Sequence, residues 1–70
     1  MINIFIRDEF IKLGQALKLS GAVDSGVEAK IYIKDGLVKV NDEKCTERGR
    51  KLYEDDIIEF ENKKYVISRN

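Results

Sequence analysis

The sequence contains no histidine, no tryptophan and no proline, and it has a single cysteine, Cys45. Histidine is the side chain that most often moves protons near neutral pH, so its absence removes the usual general acid or base of many enzymes. One cysteine cannot form an internal disulfide or build a zinc site by itself. The composition therefore argues against an enzyme and against a disulfide-stabilised domain, and we expect no cofactor and no bound metal.

Long hydrophobic runs are missing as well. The apolar start at residues 1–6 is followed at once by Arg7, Asp8 and Glu9. Such a run is too short for the core of a signal peptide or for a membrane span. We therefore expect a cytoplasmic protein that has no association with membranes.

The charges sum to zero over 70 residues, but they are unevenly distributed. Residues 10–53 carry nine Lys and Arg against six Asp and Glu, a balance of +3, whereas residues 54–70 carry three basic against five acidic residues, a balance of −2. A basic centre is compatible with nucleic-acid binding. A solvated surface of mixed sign explains the same distribution, so charge alone does not decide between the two interpretations.

The first third of the chain predicts a strand and a helix. Residues 2–6 are rich in β-branched and aromatic side chains, which favour a strand. A helix is expected over residues 8–19, beginning at Asp8 or Glu9. Phe10, Leu13 and Leu17 recur there at helical spacing and form an apolar stripe.

A second helix is predicted from a capping box. Ser25 and Glu28 match the Ser-x-x-Glu pattern that begins a helix. We expect this helix to run to residue 34 or 35, because Gly36 can take the left-handed conformation that closes a helix. Gly21 is expected to end the first helix in the same way.

The second half of the sequence changes to a period of two, which predicts short strands. Strands are expected at 37–40, 44–46, 56–60 and 64–67, with turns at 41–43, 54–55 and 61–63 and a loop at 47–50. The whole pattern predicts an α+β fold, with two helices on a small, mostly antiparallel sheet.

The ordered series of elements resembles the S4 RNA-binding domain. Residues 12–21 resemble the first helix of that family, residues 25–36 its second helix, residues 37–42 the strand and turn that follow, and residues 48–53 and 56–59 its closing part. The resemblance covers a core motif at about residues 10–61 within a single domain of residues 1–70. The additional first strand and the run Gly-Arg-Lys-Leu-Tyr are most similar to small stand-alone S4 proteins of the YaaA type.

The resemblance implies an S4-like (αL motif) fold that binds structured RNA, often ribosomal or transfer RNA, and that performs no chemistry. The protein would act as a monomer, alone or on ribosomal particles. The implied RNA-binding residues lie on the two helices, the first hairpin and the loop after it: Lys12, Gln15, Lys18, Ser25, Gly26, Lys30, Lys34, Lys39, Arg48, Arg50 and Lys51. Solubility explains the lysines equally simply, and helix capping alone explains Ser25.

Two glycines depart from the family pattern. Gly26 stands where a basic residue often follows the serine of the second helix, and Gly14 stands where the first helix often has Asp. A glycine inside a helix costs about 1 kcal/mol relative to alanine, which suggests that Gly14 approaches another backbone or the RNA closely. Tyr32 and Tyr53 occupy positions where the family has core residues, so we expect both to be buried.

Two other classes of function compete with RNA binding. A protein-interaction module, possibly associated with a ribosome or another ribonucleoprotein, could dock a basic partner on the acidic C-terminal strands. An enzyme would need a clustered nucleophile or acid–base set, which the sequence does not contain.

Overall fold

The computed structural model describes residues 1–70. In chain order the elements are β1 (Ile2–Ile6), β2 (Ile11–Lys12), α1 (Leu13–Leu19), α2 (Gly26–Lys34), β3 (Val38–Val40), β4 (Glu43–Lys44), β5 (Lys51–Leu52), β6 (Ile57–Phe60) and β7 (Lys63–Arg69). Five strands form one sheet in the order β1-β7-β6-β3-β4, and β2 pairs with β5 apart from it. Only β1 and β7 run parallel, so the predicted α+β fold with a mostly antiparallel sheet is confirmed.

The core lies against one face of the five-stranded sheet. Along β3, Val38 and Val40 are buried while Lys39 is exposed, which is the alternation expected of a half-buried strand. The helices contribute Leu13, Ala16, Leu17, Ala29 and Ile33 to the same cluster. Tyr32 packs against this core but is only half-buried, with its ring centroid 5.2 Å from that of Phe60. Neither helix is long or apolar enough to span a bilayer.

The first helix begins later than the apolar spacing predicts. Residues 7–9 form a bend, Ile11 and Lys12 form β2, and α1 starts at Leu13. The difference arises because β2 pairs with β5, so that Ile11 lies opposite Leu52 and Lys12 opposite Lys51. Phe10 is therefore only half-buried, and the prediction that it belongs to the helical stripe is wrong.

Both helices end as the glycines predict. The N–H groups of Gly21 and Ala22 donate to the carbonyls of Lys18 and Leu17, and Gly21 has a φ of +80°. Gly36, which has a φ of +77°, closes α2 through two equivalent backbone hydrogen bonds. These are Schellman motifs, in which the residue of positive φ satisfies the last helical carbonyls.

The two hairpins use tighter turns than expected. Each connection has two residues of positive φ, Asn41 and Asp42 between β3 and β4, and Glu61 and Asn62 between β6 and β7. Two-residue turns of this kind match the right-handed twist of the flanking strands. Each predicted turn was therefore one residue too long, and β4 begins at Glu43.

Candidate nucleic-acid interface

A polar groove of about 310 Å³ lies where α1, the start of α2 and the loop before β5 meet. We call it the basic groove; its lining residues are Lys12, Gly14, Gln15, Lys18, Gly26, Arg48 and Gly49. Three of these carry positive charge, none is acidic and none is hydrophobic. Three more are glycines, so the backbone itself forms part of the wall.

The loop that carries Arg48 is fixed to the beginning of α1 by backbone hydrogen bonds. The N–H of Leu13 donates to the carbonyl of Arg50 over 2.9 Å, and the N–H of Gly14 donates to the carbonyl of Arg48 over 3.0 Å. Two of the free N–H groups that open α1 are thereby satisfied without a side-chain cap. The loop is consequently docked. Gly14 does lie beside another backbone, but an added Cβ would make only ordinary contacts with Arg48, so this approach does not require a glycine.

Helix α1 separates its polar and apolar faces clearly. Leu13, Ala16 and Leu17 are buried, whereas Gln15 and Lys18 are exposed and line the basic groove. Because residues three apart on a helix lie on the same face, these two exposed side chains point to the same side. Lys12, which precedes the helix, is exposed on that side too.

The start of α2 forms the opposite wall. The Ser25 hydroxyl accepts a hydrogen bond of 3.2 Å from the Glu28 N–H, so the predicted cap is confirmed. The Glu28 carboxylate accepts one of 3.4 Å from the Asp24 N–H. A Cβ added to Gly26 would meet no atom within 4 Å, so this wall of the groove is open.

Five of the eleven predicted RNA-binding residues line the basic groove: Lys12, Gln15, Lys18, Gly26 and Arg48. The other six lie outside its lining. Ser25 caps α2, and Lys30 and Lys34 are exposed farther along that helix. Lys39 is exposed on β3, where its register neighbours are Lys44 and Glu59. Arg50 and Lys51 are exposed beside the groove.

Lys51 belongs to a small aromatic cluster that the sequence did not predict. Its Nζ lies 4.8 Å from the centroid of the Phe10 ring, which makes a cation–π contact. The Phe10 ring in turn lies 6.0 Å from that of Tyr53. Tyr53 is 44% exposed, so the prediction that it is a core residue is wrong.

A second, larger cavity of about 710 Å³ adjoins the basic groove on the side of β1. We call it the apolar pocket; it is lined by Phe5, Ile6, Arg7, Asp8, Phe10, Ile11, Gln15, Lys18 and Leu19. Sequence reasoning missed it, although a signal was present. Phe5 alternates with the buried Ile4 and Ile6, which predicts that its ring faces away from the core.

Asp56 and Cys45 have structural roles. Asp56 accepts hydrogen bonds from the Tyr53 N–H over 2.7 Å and from the Asn41 side-chain amide over 3.1 Å. Cys45 is buried, with its sulfur 3.6 Å from the Glu47 carbonyl. Nowhere in the chain do three or more acidic or cysteine side chains gather in the way that a metal ion requires.

Comparison with known proteins identifies the family of the chain. The sequence model of a family described as the S4 domain matches residues 4–68. The chain is also 48% identical, over 58 residues, to the probable ribosome maturation protein RlbA of Bacillus subtilis (strain 168). That alignment covers 83% of this chain and 82% of RlbA. A family match over nearly the whole length, together with this identity, shows that the chain belongs to the S4 domain family.

Proposed function

We propose that the protein binds structured RNA, ribosomal or transfer RNA, through the basic groove. One observation carries the proposal: three cations and no acid surround a groove in a protein whose net charge is zero. Folding alone gives no reason to bring like charges together, because their mutual repulsion opposes it. A phosphate backbone, in contrast, would be held by such a group of cations.

Each part of the groove has a definite role in this binding. Lys12, Lys18 and Arg48 would contact phosphates, and Arg48 can do so with two parallel hydrogen bonds. The Gln15 amide can both donate and accept, which suits a ribose hydroxyl or a base edge. The glycines allow the RNA backbone to come close to the protein backbone. Recognition would therefore depend on the shape and phosphates of the RNA more than on its sequence.

The family supports a role connected with the ribosome. RlbA is named as a probable ribosome maturation protein, and the present chain aligns with most of its length. We propose that this chain likewise acts on ribosomal RNA or ribosomal particles in the cytoplasm, as a monomer with one groove. Cosedimentation with ribosomal particles tests the association with the ribosome, and light scattering of the pure protein tests the monomeric state.

The proposed role is non-catalytic. The groove offers ammonium, guanidinium and amide groups, but no carboxylate or thiol that could act as a general base or nucleophile. The purified chain is expected to leave RNA uncut and unmodified. Multiple-turnover cleavage or base modification by the pure recombinant protein would contradict this.

The sheet register weakens the alternative of an acidic docking surface. Glu59 lies opposite Lys39 on β3 and opposite Lys64 on β7. Opposite charges on neighbouring strands stabilise the sheet locally. Asp56 is likewise engaged in hydrogen bonds within the chain. Glu59 is thus flanked by lysines and Asp56 is held within the chain, so neither is free to join an acidic docking patch.

Two double variants test the groove. Lys12→Gln with Lys18→Gln removes two groove charges, and Lys63→Gln with Lys64→Gln removes two exposed charges on β7 as a matched control. The measurement is affinity for a synthetic RNA hairpin at several salt concentrations, with circular dichroism to verify folding. Each phosphate-bound lysine that is lost should reduce the slope of log affinity against log salt by about one.

The groove pair should therefore lower the slope by about two, whereas the control pair should leave it nearly unchanged. Equal losses from both pairs would indicate unspecific attraction. A loss from the control pair alone would locate RNA binding on the sheet and refute the groove.

A further inference from the structure

The apolar pocket and the basic groove are continuous. Gln15 and Lys18 line both of them, so a ligand in the groove has direct access to the pocket. Two large apolar side chains in the pocket remain open to solvent: Phe5 is 55% exposed and Leu19 is 59% exposed. The pocket thus joins an apolar surface to the site where RNA phosphates are proposed to bind.

The floor of the pocket has features that suit a planar ligand with polar edges. Strand β1 is at the edge of the sheet, so only one of its sides pairs with another strand. An edge strand presents unpaired backbone N–H and C=O groups on its other side. Arg7 and Asp8, just after β1, add a donor and an acceptor to the lining. Aromatic surface and hydrogen-bonding groups therefore occur together.

We propose that the apolar pocket receives one unpaired base of the RNA whose backbone lies in the basic groove. The inference rests on the proposed RNA-binding function and names the kind of RNA selected: a helix interrupted by a bulged or looped-out nucleotide. The base stacks on the Phe5 ring and against Leu19, while its polar edge meets the β1 backbone. Lys18, at the junction, holds the phosphate beside that base.

An unpaired nucleotide fits this site better than a protein side chain would. The groove that leads into the pocket is lined only by polar and basic residues and glycines, and the pocket itself contains two basic side chains against a single acid. Removing a base from a stack has an energetic cost that is smallest when the base is already unpaired. The pocket therefore selects RNA with a bulge over a continuous duplex, without reading the sequence of the helix.

Two RNAs test the proposal: a synthetic duplex, and the same duplex with one additional bulged nucleotide. The wild-type protein should bind the bulged RNA about tenfold more tightly, which is the size expected when one base stacks on a side chain. A fluorescent base at the bulge should also change its emission on binding. Circular dichroism and thermal melting verify that each variant is folded.

Variants of the pocket provide the decisive comparison. Leu19→Ala should remove most of the preference for the bulge, whereas Leu37→Ala should leave it intact. Leu37 is an equivalent control because it is 56% exposed, nearly the same as Leu19, and does not line the pocket. Phe5→Leu keeps an apolar side chain but removes the ring, so it should also reduce the preference while leaving duplex affinity unchanged.

The outcomes separate this inference from the proposed function. Salt-dependent binding of both RNAs with equal affinity would overturn the pocket inference and leave the groove intact. Binding of neither RNA would overturn both. If Leu19→Ala weakened the binding of both RNAs equally, the inference would also be overturned, since the pocket would then only stabilise the groove. If Leu19→Ala left the binding of both RNAs unchanged but abolished cosedimentation with ribosomal particles, the pocket would be assigned to a protein partner instead.

Discussion

The backbone N–H of Gly14 donates a 3.0 Å hydrogen bond to the carbonyl oxygen of Arg48. The bond joins the first turn of α1 to the loop that completes the basic groove, and the neighbouring bond from Leu13 to Arg50 extends this connection. Because both bonds involve only backbone atoms, the position of the loop does not depend on the arginine side chains. Those side chains therefore remain available to a ligand.

The same relationship gives a prediction for Gly14→Ala. A Cβ at this position would lie 3.5 Å from the Arg48 Cβ and 3.6 Å from its carbonyl oxygen, which are ordinary van der Waals distances. Since alanine is the better helix former, the free energy of unfolding should rise by about 0.5–1 kcal/mol. Urea denaturation measures this change. A loss of stability would show that the contact with Arg48 tolerates no additional methyl group.

Local sequence signals predicted the caps and turns because their chemistry is contained within a few residues. The Ser25–Glu28 pattern and the glycines after each helix were sufficient to place α2 and both helix ends. The paired Asn41 and Asp42 were sufficient to predict a turn, since both residues tolerate positive φ. In each case the groups that satisfy one another are neighbours in the chain.

Long-range pairing explains what the sequence did not predict. The start of α1 was placed too early because the spacing of Phe10, Leu13 and Leu17 is helical, whereas the chain before Leu13 pairs with β5 about forty residues away. The parallel pairing of β1 with β7 likewise joins the two ends of the chain, as in Ile2 opposite Tyr65. Periodicity contains no information about such partners. The alternation in β1 indicates that Phe5 faces away from the core, but not that α1 and the bend after β1 complete a pocket with it.

The cap of α2 can be tested at Ser25. Ser25→Ala should lower the free energy of unfolding by about 0.5–2 kcal/mol, because the Glu28 N–H loses its acceptor. Ser25→Asp restores an acceptor and should keep the stability, but it adds a negative charge beside Gly26 in the groove wall. Its RNA affinity should therefore fall while its denaturation midpoint stays the same. Unchanged affinity in the folded Asp variant would mean that RNA does not approach this helix end.

The link between Asn41 and Asp56 predicts energetic coupling. The Asn41 amide donates to Asp56 over 3.1 Å and accepts from the Ile57 N–H over 2.9 Å, which fastens the first hairpin to the start of β6. Asn41→Gly retains the positive φ and removes only the side chain. It should destabilise the protein by about 0.5–1.5 kcal/mol, since both bonds are exposed. In a double-mutant cycle with Asp56→Ala, the two effects should be non-additive by about 0.5 kcal/mol or more.

Variants of the lysines of α2 test how far the RNA extends beyond the groove. Lys30 and Lys34 are exposed one helical turn apart, on the helix that begins at the groove with Gly26. If the RNA backbone continues along α2, Lys30→Gln with Lys34→Gln should reduce the salt slope by up to about two. We expect a smaller loss of affinity than from the Lys12 and Lys18 pair. A larger loss would place the centre of the RNA interface on α2.

The two arginines of the loop offer the most closely matched comparison. Arg48 lines the basic groove and Arg50 does not, yet both are exposed, and both use their backbone carbonyls to hold the start of α1. Replacing either side chain with glutamine leaves those carbonyl bonds in place, so the fold should be retained in both variants. Arg48→Gln should weaken RNA binding and lower the salt slope by about one, because one phosphate contact is lost. Arg50→Gln should change both quantities much less. Equal effects would mean that the RNA contacts the loop as a whole, and a larger effect of Arg50→Gln would place the phosphate path outside the groove.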